Sequence, residues 1–192
     1  MASLHFVYAS MNAGKSTQLL QVAHNYEERG QKAVIMKPSI DNRDGEGEIV
    51  SRIGIRKPCF TFGRDENLVH FLFQHCAENK PDAVLVDECQ FLTLKQVKQL
   101  CTLVDVYEIP VLCYGLRTDF QGNLFEGSNA LMALADKLRE LKGICHCGKK
   151  ATMVLRLDSD GNVVRDGEQV QIGGNDRYVA VCRKHFVLGE IK

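Results

Sequence analysis

Short apolar runs alternate along the first three-quarters of the chain with longer stretches whose apolar positions recur every three or four residues. Leu4–Tyr8, Ala33–Met36 (stopped by Pro38), Ala83–Val86 and Pro110–Tyr114 read as buried strands. Between them, Lys15–Arg29 carries Leu19, Leu20, Val22, Ala23 and Tyr26 at helical spacing and ends at Gly30. Asp65–Glu78 puts Leu68, Val69, Leu72 and Phe73 on one helical face. Thr93 is placed to cap a helix through Tyr107 that buries Val97, Leu100, Cys101 and Val104. Ser128–Leu141 predicts a last helix, with Leu131, Leu134, Ala135 and Leu138 in step. Residues 41–57 are charged and punctuated by Gly45 and Gly47, which predicts a loop with a strand or two. Strands that are apolar throughout and alternate with amphipathic helices predict an α/β fold, a parallel sheet covered by helices on both faces. After Lys142 the rhythm changes. Thr152–Leu157, the turn Asp158-Ser159-Asp160-Gly161, Gln169–Ile172 and Tyr178–Val181 predict hairpins. The expected organisation is a main domain over 1–142 and a small second one over 143–192.

Composition narrows the function classes. A chain of 192 residues with 45% apolar content can hold a full core, and its formal net charge of zero disfavours a protein that coats nucleic acid or a membrane surface. No apolar run approaches the length of a membrane span, and the N-terminus enters a strand with no signal-peptide pattern before it. Eight cysteines without an export signal point to reduced thiols and metal binding. Cys59, Cys76, Cys89, Cys101 and Cys113 are scattered in apolar segments and read as small core hydrophobes. The expectation is a cytoplasmic protein.

The segment Ala9, Ser10, Met11, Asn12, Ala13, Gly14, Lys15, Ser16 and Thr17 joins the first strand to the first helix. Such a loop turns successive backbone N–H groups toward one point, and the helix dipole adds positive potential there. Lys15 can reach β- and γ-phosphates and Ser16 can ligate Mg²⁺, which makes the segment a P-loop, with Ala9 where the full pattern begins with Gly. Ala83-Val84-Leu85-Val86-Asp87-Glu88 supplies the second element. Asp87, at the end of a buried strand, is placed to hold Mg²⁺, and Glu88 to take the proton from an attacking hydroxyl. Read as a residue that orients water, Glu88 would instead make the chain an ATPase. Cys145-His146-Cys147 with Cys182-x-x-His185 offers a tetrahedral zinc set of Cys145, Cys147, Cys182 and His185, with His146 as a substitute for one cysteine. Four protein ligands leave no open position, so the zinc is expected to be structural. Phe91, Leu116 and Phe120 follow strand ends where open α/β sheets bind ligands, and could sandwich a base. Arg43 could neutralise phosphate oxygens.

With those segments in hand, the chain resembles the cytosolic, zinc-containing thymidine kinases, above all the bacterial ones. The resemblance runs through Met11–Thr17, Asp41-x-Arg43, Val86-Asp87-Glu88-Cys89-Gln90-Phe91, Tyr114–Phe120, the cysteine pair, and Ile172-Gly173-Gly174 with Tyr178. It implies a P-loop NTPase sheet of RecA-like kind with a C-terminal zinc-ribbon-like domain whose lasso loop, roughly 154–177, closes over the nucleoside. It implies ATP-dependent phosphorylation of the thymidine 5′-hydroxyl, with deoxyuridine as a further acceptor, feedback inhibition by dTTP, and a homotetramer. Glu88 would be the catalytic base, and Ser16 and Asp87 would serve Mg²⁺. Arg43 and Gln90 would lie with residues 9–17 on the phosphate side. Met11, Phe91, Leu116, Phe120, Gln171 and Tyr178 would form the base pocket. The competing readings are a P-loop ATPase or motor-type NTPase, suggested by the Asp87-Glu88-x-Gln90 likeness to helicase motifs, and a zinc-ribbon module that binds nucleic acid. A helicase needs a second such domain, and neutral charge disfavours the module.

Overall fold

The computed structural model describes residues 1–41, 45, 47–76, 79–170 and 177–192. Its central sheet runs in the order β5 (Phe60–Phe62), β2 (Ala33–Pro38), β6 (Ala83–Val86), β7 (Val111–Leu116), β1 (Leu4–Ala9), β8 (Lys137–Glu140), and every pairing is parallel. Side chains of a strand point alternately to the two faces, and each face receives its own apolar cluster. Leu4, Phe6, Val84 and Val86 pack against α2 (Leu68–His75), α3 (Leu94–Asp105) and α4 (Glu126–Leu134) through Leu68, Leu72, Val97, Leu100 and Leu131. Val7, Ile35 and Leu85 pack under α1 (Lys15–Glu28) through Leu19, Leu20 and Ala23. All four residues of β6 are fully buried, which is why that strand carries no alternation in sequence. Burial of each large aliphatic side chain here contributes roughly 1.5–3 kcal/mol.

Thr93 caps α3 as expected, in a full capping box: its hydroxyl accepts from Gln96 N–H, and the Gln96 carboxamide accepts from Thr93 N–H. Two other helices differ from expectation. α2 begins at Leu68 because the Asn67 carboxamide oxygen accepts from the N–H groups of Val69 and His70, at 3.0 and 3.1 Å, and so fixes the start there. Glu78, its expected end, lies outside the described residues. The predicted helix over Ser128–Leu141 is half strand: α4 ends at Leu134, Ala135 turns to extended backbone, and residues 137–140 pair with β1. Helical spacing continues through Leu138, but the edge of β1 has unpaired N–H and C=O groups, and a parallel strand satisfies them. Asp136 reinforces the switch by accepting the Leu4 N–H at 2.7 Å. Leu138, the supposed core position, is half exposed.

Residues 41–57 hold a short hairpin, β3 (Glu48–Val50) with β4 (Arg56–Pro58). Beyond Lys142, β9 (Gly143–Ile144) pairs with β10 (Lys150–Ala151). Farther on, β11 (Met153–Leu157) lies between β12 (Val163–Val164) and β13 (Tyr178–Val181), all antiparallel, with α5 (Arg183–Leu188) after them. The turn at 158–161 joins β11 to β12, and the Asp158 carboxylate accepts from the N–H groups of Asp160 and Asn162. Of the strand expected over Gln169–Ile172, Gln169 and Val170 are not in a strand, and the rest lies outside the described residues. Cys145, Ala151, Leu155, Val181 and Cys182 form a small separate core. No helix among the described residues is long and apolar enough to cross a membrane.

A 3-10 turn at Cys89–Phe91 carries the chain off the end of β6, and α4 lies directly on it. A Cβ on Gly127 would stand 2.3 Å from the Cys89 carbonyl oxygen and 2.9 Å from that of Leu92. Gly127→Ala is therefore expected to destabilise the protein by about 1–3 kcal/mol through overpacking, read as a lower urea midpoint at an unchanged slope.

Candidate active site

Because the central strands are parallel, β1, β6 and β7 deliver their carboxyl ends, and the loops that follow, to one edge of the sheet. The loop after β1 is the P-loop. Asn12 and Gly14 adopt positive φ, 65° and 79°, and Gly14 caps α1 without a side chain, so the first amides of the helix face the loop's hollow. Ala9 is buried at the end of β1 in ordinary extended backbone, where a Cβ is accommodated. Ser10 Oγ donates to Ala151 O at 3.1 Å and so ties the loop to β10. The Lys15 ammonium donates to Ser10 O at 3.0 Å, across the loop's own curve. Residues 11–17 line a cavity of about 1290 Å³, open to solvent, together with Glu88 and with Val50, Ser51, Arg52 and Ile53 of the β3–β4 hairpin. Arg52 is a cation at this cavity that sequence reading did not single out; its segment reads only as a charged loop. Arg43, the arginine expected there, lies outside the described residues.

The chain leaves β6 through the acidic pair. Asp87 Oδ2 accepts from Ser16 Oγ at 2.9 Å, and Oδ1 accepts from Glu88 N–H at 3.0 Å. Burial, followed by the neighbouring Glu88 charge, pushes the Asp87 carboxyl up to about 7, against the opposing pull of the Ser16 and Glu88 N–H bonds and of Lys15. A buried carboxylate beside a P-loop hydroxyl, ionised at a cost, is a donor set that suits a hard divalent cation. Glu88 itself is left-handed, φ 48° and ψ 37°. Gln90 donates from its amide nitrogen to Glu88 Oε2 and accepts the Leu116 N–H at 3.0 Å.

A second cavity, of about 660 Å³ including its open mouth, adjoins the first. Met11, Glu88 and Leu116 line both. The walls of the second include Phe91, Phe120 and Tyr178, all expected, and Phe125, Val154 and Gln169, which sequence reading missed. Gln90 lies on this side and does not line the P-loop cavity. Phe91 meets Phe125 edge to face at 5.9 Å. Gln171 lies outside the described residues. The strap 165–170 is held over this side by buried groups. Arg156 lies 3.6 Å from the Phe120 ring centre and donates to Glu168 O at 2.8 Å and Asp166 O at 3.0 Å. Asp119 accepts Gln169 Nε2 at 2.8 Å while its other oxygen accepts the N–H groups of Gln121 and Asn123. These anchors sit far apart in sequence; Asp119 lies in the segment Tyr114–Phe120, whereas Arg156 carries no local signature.

The ligand atoms of Cys145, Cys147, Cys182 and His185 all fall within 4.8 Å of one another. Cys145 Sγ is 3.3 Å and Cys182 Sγ 3.5 Å from His185 Nδ1, and the Cys147 and Cys182 sulfurs are 3.9 Å apart. Those separations fit the edges of a tetrahedron around one zinc ion. The tight Cys-x-Cys spacing works because a hairpin turn sits between β9 and β10, closed by Gly148 at φ 80°. His146 is not in the set; its ring stacks on His185 at 4.2 Å. Glu190 faces the other His185 nitrogen at 3.4 Å and fixes which nitrogen turns to the sulfurs.

A P-loop on a parallel sheet, an acidic pair at the next strand end and an apolar annexe sharing that wall define the chain as a P-loop α/β protein of phosphate-handling type, with a Cys₃His module attached. A family model described as thymidine kinase matches residues 2–186. Thymidine kinases of Shewanella oneidensis and Rhodopirellula baltica are each 59% identical over 186 residues, covering 97% of this chain and 97% and 88% of theirs. That of Coxiella burnetii is 54% identical over 192 residues, 99% of this chain and 97% of its own. The chain belongs to the thymidine kinase family and is an enzyme of the kinase class.

Arg156→Met removes the two bonds that Arg156 gives the strap, together with the ring contact. The strap is expected to open more often, so that trypsin cleaves after Arg165 about tenfold faster, with the Cys₃His module left intact.

Proposed function

We propose that the chain transfers the γ-phosphoryl group of ATP to the 5′-hydroxyl of thymidine, giving dTMP and ADP, as nucleoside salvage for DNA synthesis. One observation carries this reading: Glu88 lines both the P-loop cavity and the apolar cavity beside it. A triphosphate on the P-loop and a nucleoside in the annexe would meet at that carboxylate. The amides of residues 11–16 and the Lys15 ammonium would bind the β- and γ-phosphates, Arg43 supplying further charge. Ser16 and Asp87 would hold Mg²⁺, which when bound neutralises charge that builds on the phosphate oxygens. Glu88 would orient the 5′-hydroxyl and accept its proton as the new P–O bond forms. Phosphoryl transfer has a loose transition state, so most of the rate comes from this positioning.

Met11, Phe91, Leu116, Phe120 and Tyr178 would enclose the pyrimidine, with Gln171 beside it, and the strap would exclude water. Deoxyuridine, which lacks only a methyl group, would be a further acceptor. Continuity of the two cavities also supports feedback inhibition by dTTP, one molecule that places a base in one and phosphates in the other. The zinc is proposed as structural, held by Cys145, Cys147, Cys182 and His185, tying down a domain over 143–192 that completes a kinase domain over 1–142. Family likeness extends the proposal to a homotetramer in the cytoplasm, without nucleic-acid or membrane partners.

ADP production is expected to depend on thymidine, with dTMP as product; ATP turnover indifferent to nucleoside would overturn the reading. Glu88→Gln should lower kcat by about 10²–10⁴-fold while ATP affinity stays within about threefold. Cys182→Ser should purify without stoichiometric zinc by elemental analysis and show a raised KM for thymidine, since the module that carries the strap loses its tie. Full activity in metal-free protein would refute the structural zinc.

A further inference from the structure

The 3-10 turn after β6 buries a polar side chain that the proposed transfer leaves without a task. Gln90 is 2% exposed, and its carboxamide joins two walls of the site. The amide oxygen accepts the Leu116 N–H at 3.0 Å, and the amide nitrogen donates to Glu88 Oε2. That assignment is forced by chemistry. A backbone N–H can only donate, so it captures the oxygen and turns the NH₂ group toward the carboxylate, which can only accept. The Leu116 backbone is held on its other side as well, since Ser128 Oγ donates to the Leu116 carbonyl at 2.6 Å. The amide packs closely on β7: a Cβ on neighbouring Gly115 would stand 2.7 Å from Gln90 Oε1 and 2.6 Å from Cys89 Sγ. The chain from Ser128 through Leu116 and Gln90 to Glu88 is thus a continuous hydrogen-bonded strut. It runs from α4 across the end of β7 to the carboxylate shared by both cavities.

A glutamate side chain has three rotatable bonds and gives up most of its rotamer freedom when fixed. A bond from a buried amide to its carboxylate is charge-assisted and directional, and suits that task. We propose that Gln90 is a positioning residue for phosphoryl transfer: oriented by the Leu116 N–H, its carboxamide holds the Glu88 carboxylate at the junction of the two cavities, where the acceptor hydroxyl arrives. The inference rests on Glu88 as the base and goes beyond it by naming what aims it. It also gives Gln90 a place on the acceptor side, in contrast to the phosphate-side role that the sequence suggests.

The test is a double-mutant cycle with Glu88→Gln. Gln90→Glu keeps the volume and the acceptor for Leu116 N–H and replaces the donor to Glu88 by a second carboxylate, which repels the one it held. In the natural background it is expected to lower kcat by about 10–100-fold, with KM for thymidine and for ATP within about threefold. In the Glu88→Gln background the same change is expected to cost less than about twofold, because nothing remains to be aimed. An equal loss in both backgrounds, or no loss in either, overturns the inference. Glu88→Gln alone at full turnover overturns the base assignment instead, and the two failures are therefore separable. If Gln90→Glu does not yield folded protein, Gln90→Met, of matching length with neither bond, is carried through the same cycle with the same criteria.

Discussion

Parallel pairing of β6 with β7 and of β7 with β1 is the constraint on which the rest depends. Its register places Val84, Val111 and Leu4 side by side; β1 and β7 end level at Ala9 and Leu116 while β6 stops three residues earlier, opposite Cys113, and the segments beginning at Ser10, Asp87 and Arg117 all leave toward the same edge. Antiparallel neighbours would send alternate loops to opposite edges. The Ser16–Asp87 bond is a direct consequence, joining residues that are remote in sequence and adjacent only because their strands run the same way. The strength of the arrangement lies in the clusters on both faces, since the loops themselves are held by single hydrogen bonds. Full burial of β6 makes the acidic pair at its end a fixed point against which the mobile reactants are aligned.

The C-terminal strands use that edge as a platform. Ser10 reaches Ala151, Arg117 reaches Thr152 O at 3.2 Å, and Val154 and Tyr178 close the far wall of the apolar cavity. A small sheet with so few apolar side chains cannot hold its own shape strongly. The Cys₃His cluster, in the turn between β9 and β10 and at the junction of β13 with α5, brings together the stretches where the chain enters and leaves the module. Two of the strap's anchors, Arg156 and Asp119, also belong to the cavity it covers, Arg156 through the Phe120 ring and Asp119 as part of the wall. Coupling between strap and pocket is built into the same side chains.

Elements whose signal is local were legible in the sequence. The P-loop, the strand Ala83–Val86 and the capped helix after Thr93 depend on nearest neighbours and on period, and they are where the pattern puts them. So are the four zinc-type ligands, because their residue types are rare. What pattern could not give is competition between distant partners. Leu138 keeps helical step, yet the open edge of β1 claims its backbone, and no window of sequence contains both. Phe125 and Arg156 look like ordinary core and surface residues until the fold sets Phe125 in the cavity wall and Arg156 against Phe120. Gln90 was visible in its motif, but whether its amide turned to phosphate or to carboxylate was decided by a peptide N–H in β7.

Backbone strain ties these threads together. Among the described residues, the non-glycine positions at positive φ are Asn12, Glu88 and Glu108, and two of the three lie in the site. Asparagine tolerates that region; a glutamate there costs of order 1 kcal/mol or more and persists only where its surroundings over-determine it. For Glu88 the surroundings do so from every side: its N–H is held by Asp87, its carboxylate by Gln90, and the turn that follows is clamped between Gly115 and Gly127, where even a methyl group would collide. Relaxing Glu88 to ordinary backbone would carry the carboxylate away from the wall the two cavities share. The chain accepts a strained residue at this one step because that geometry sets Asp87 beside Ser16 and Glu88 at the cavity wall, two adjacent carboxylates with different environments.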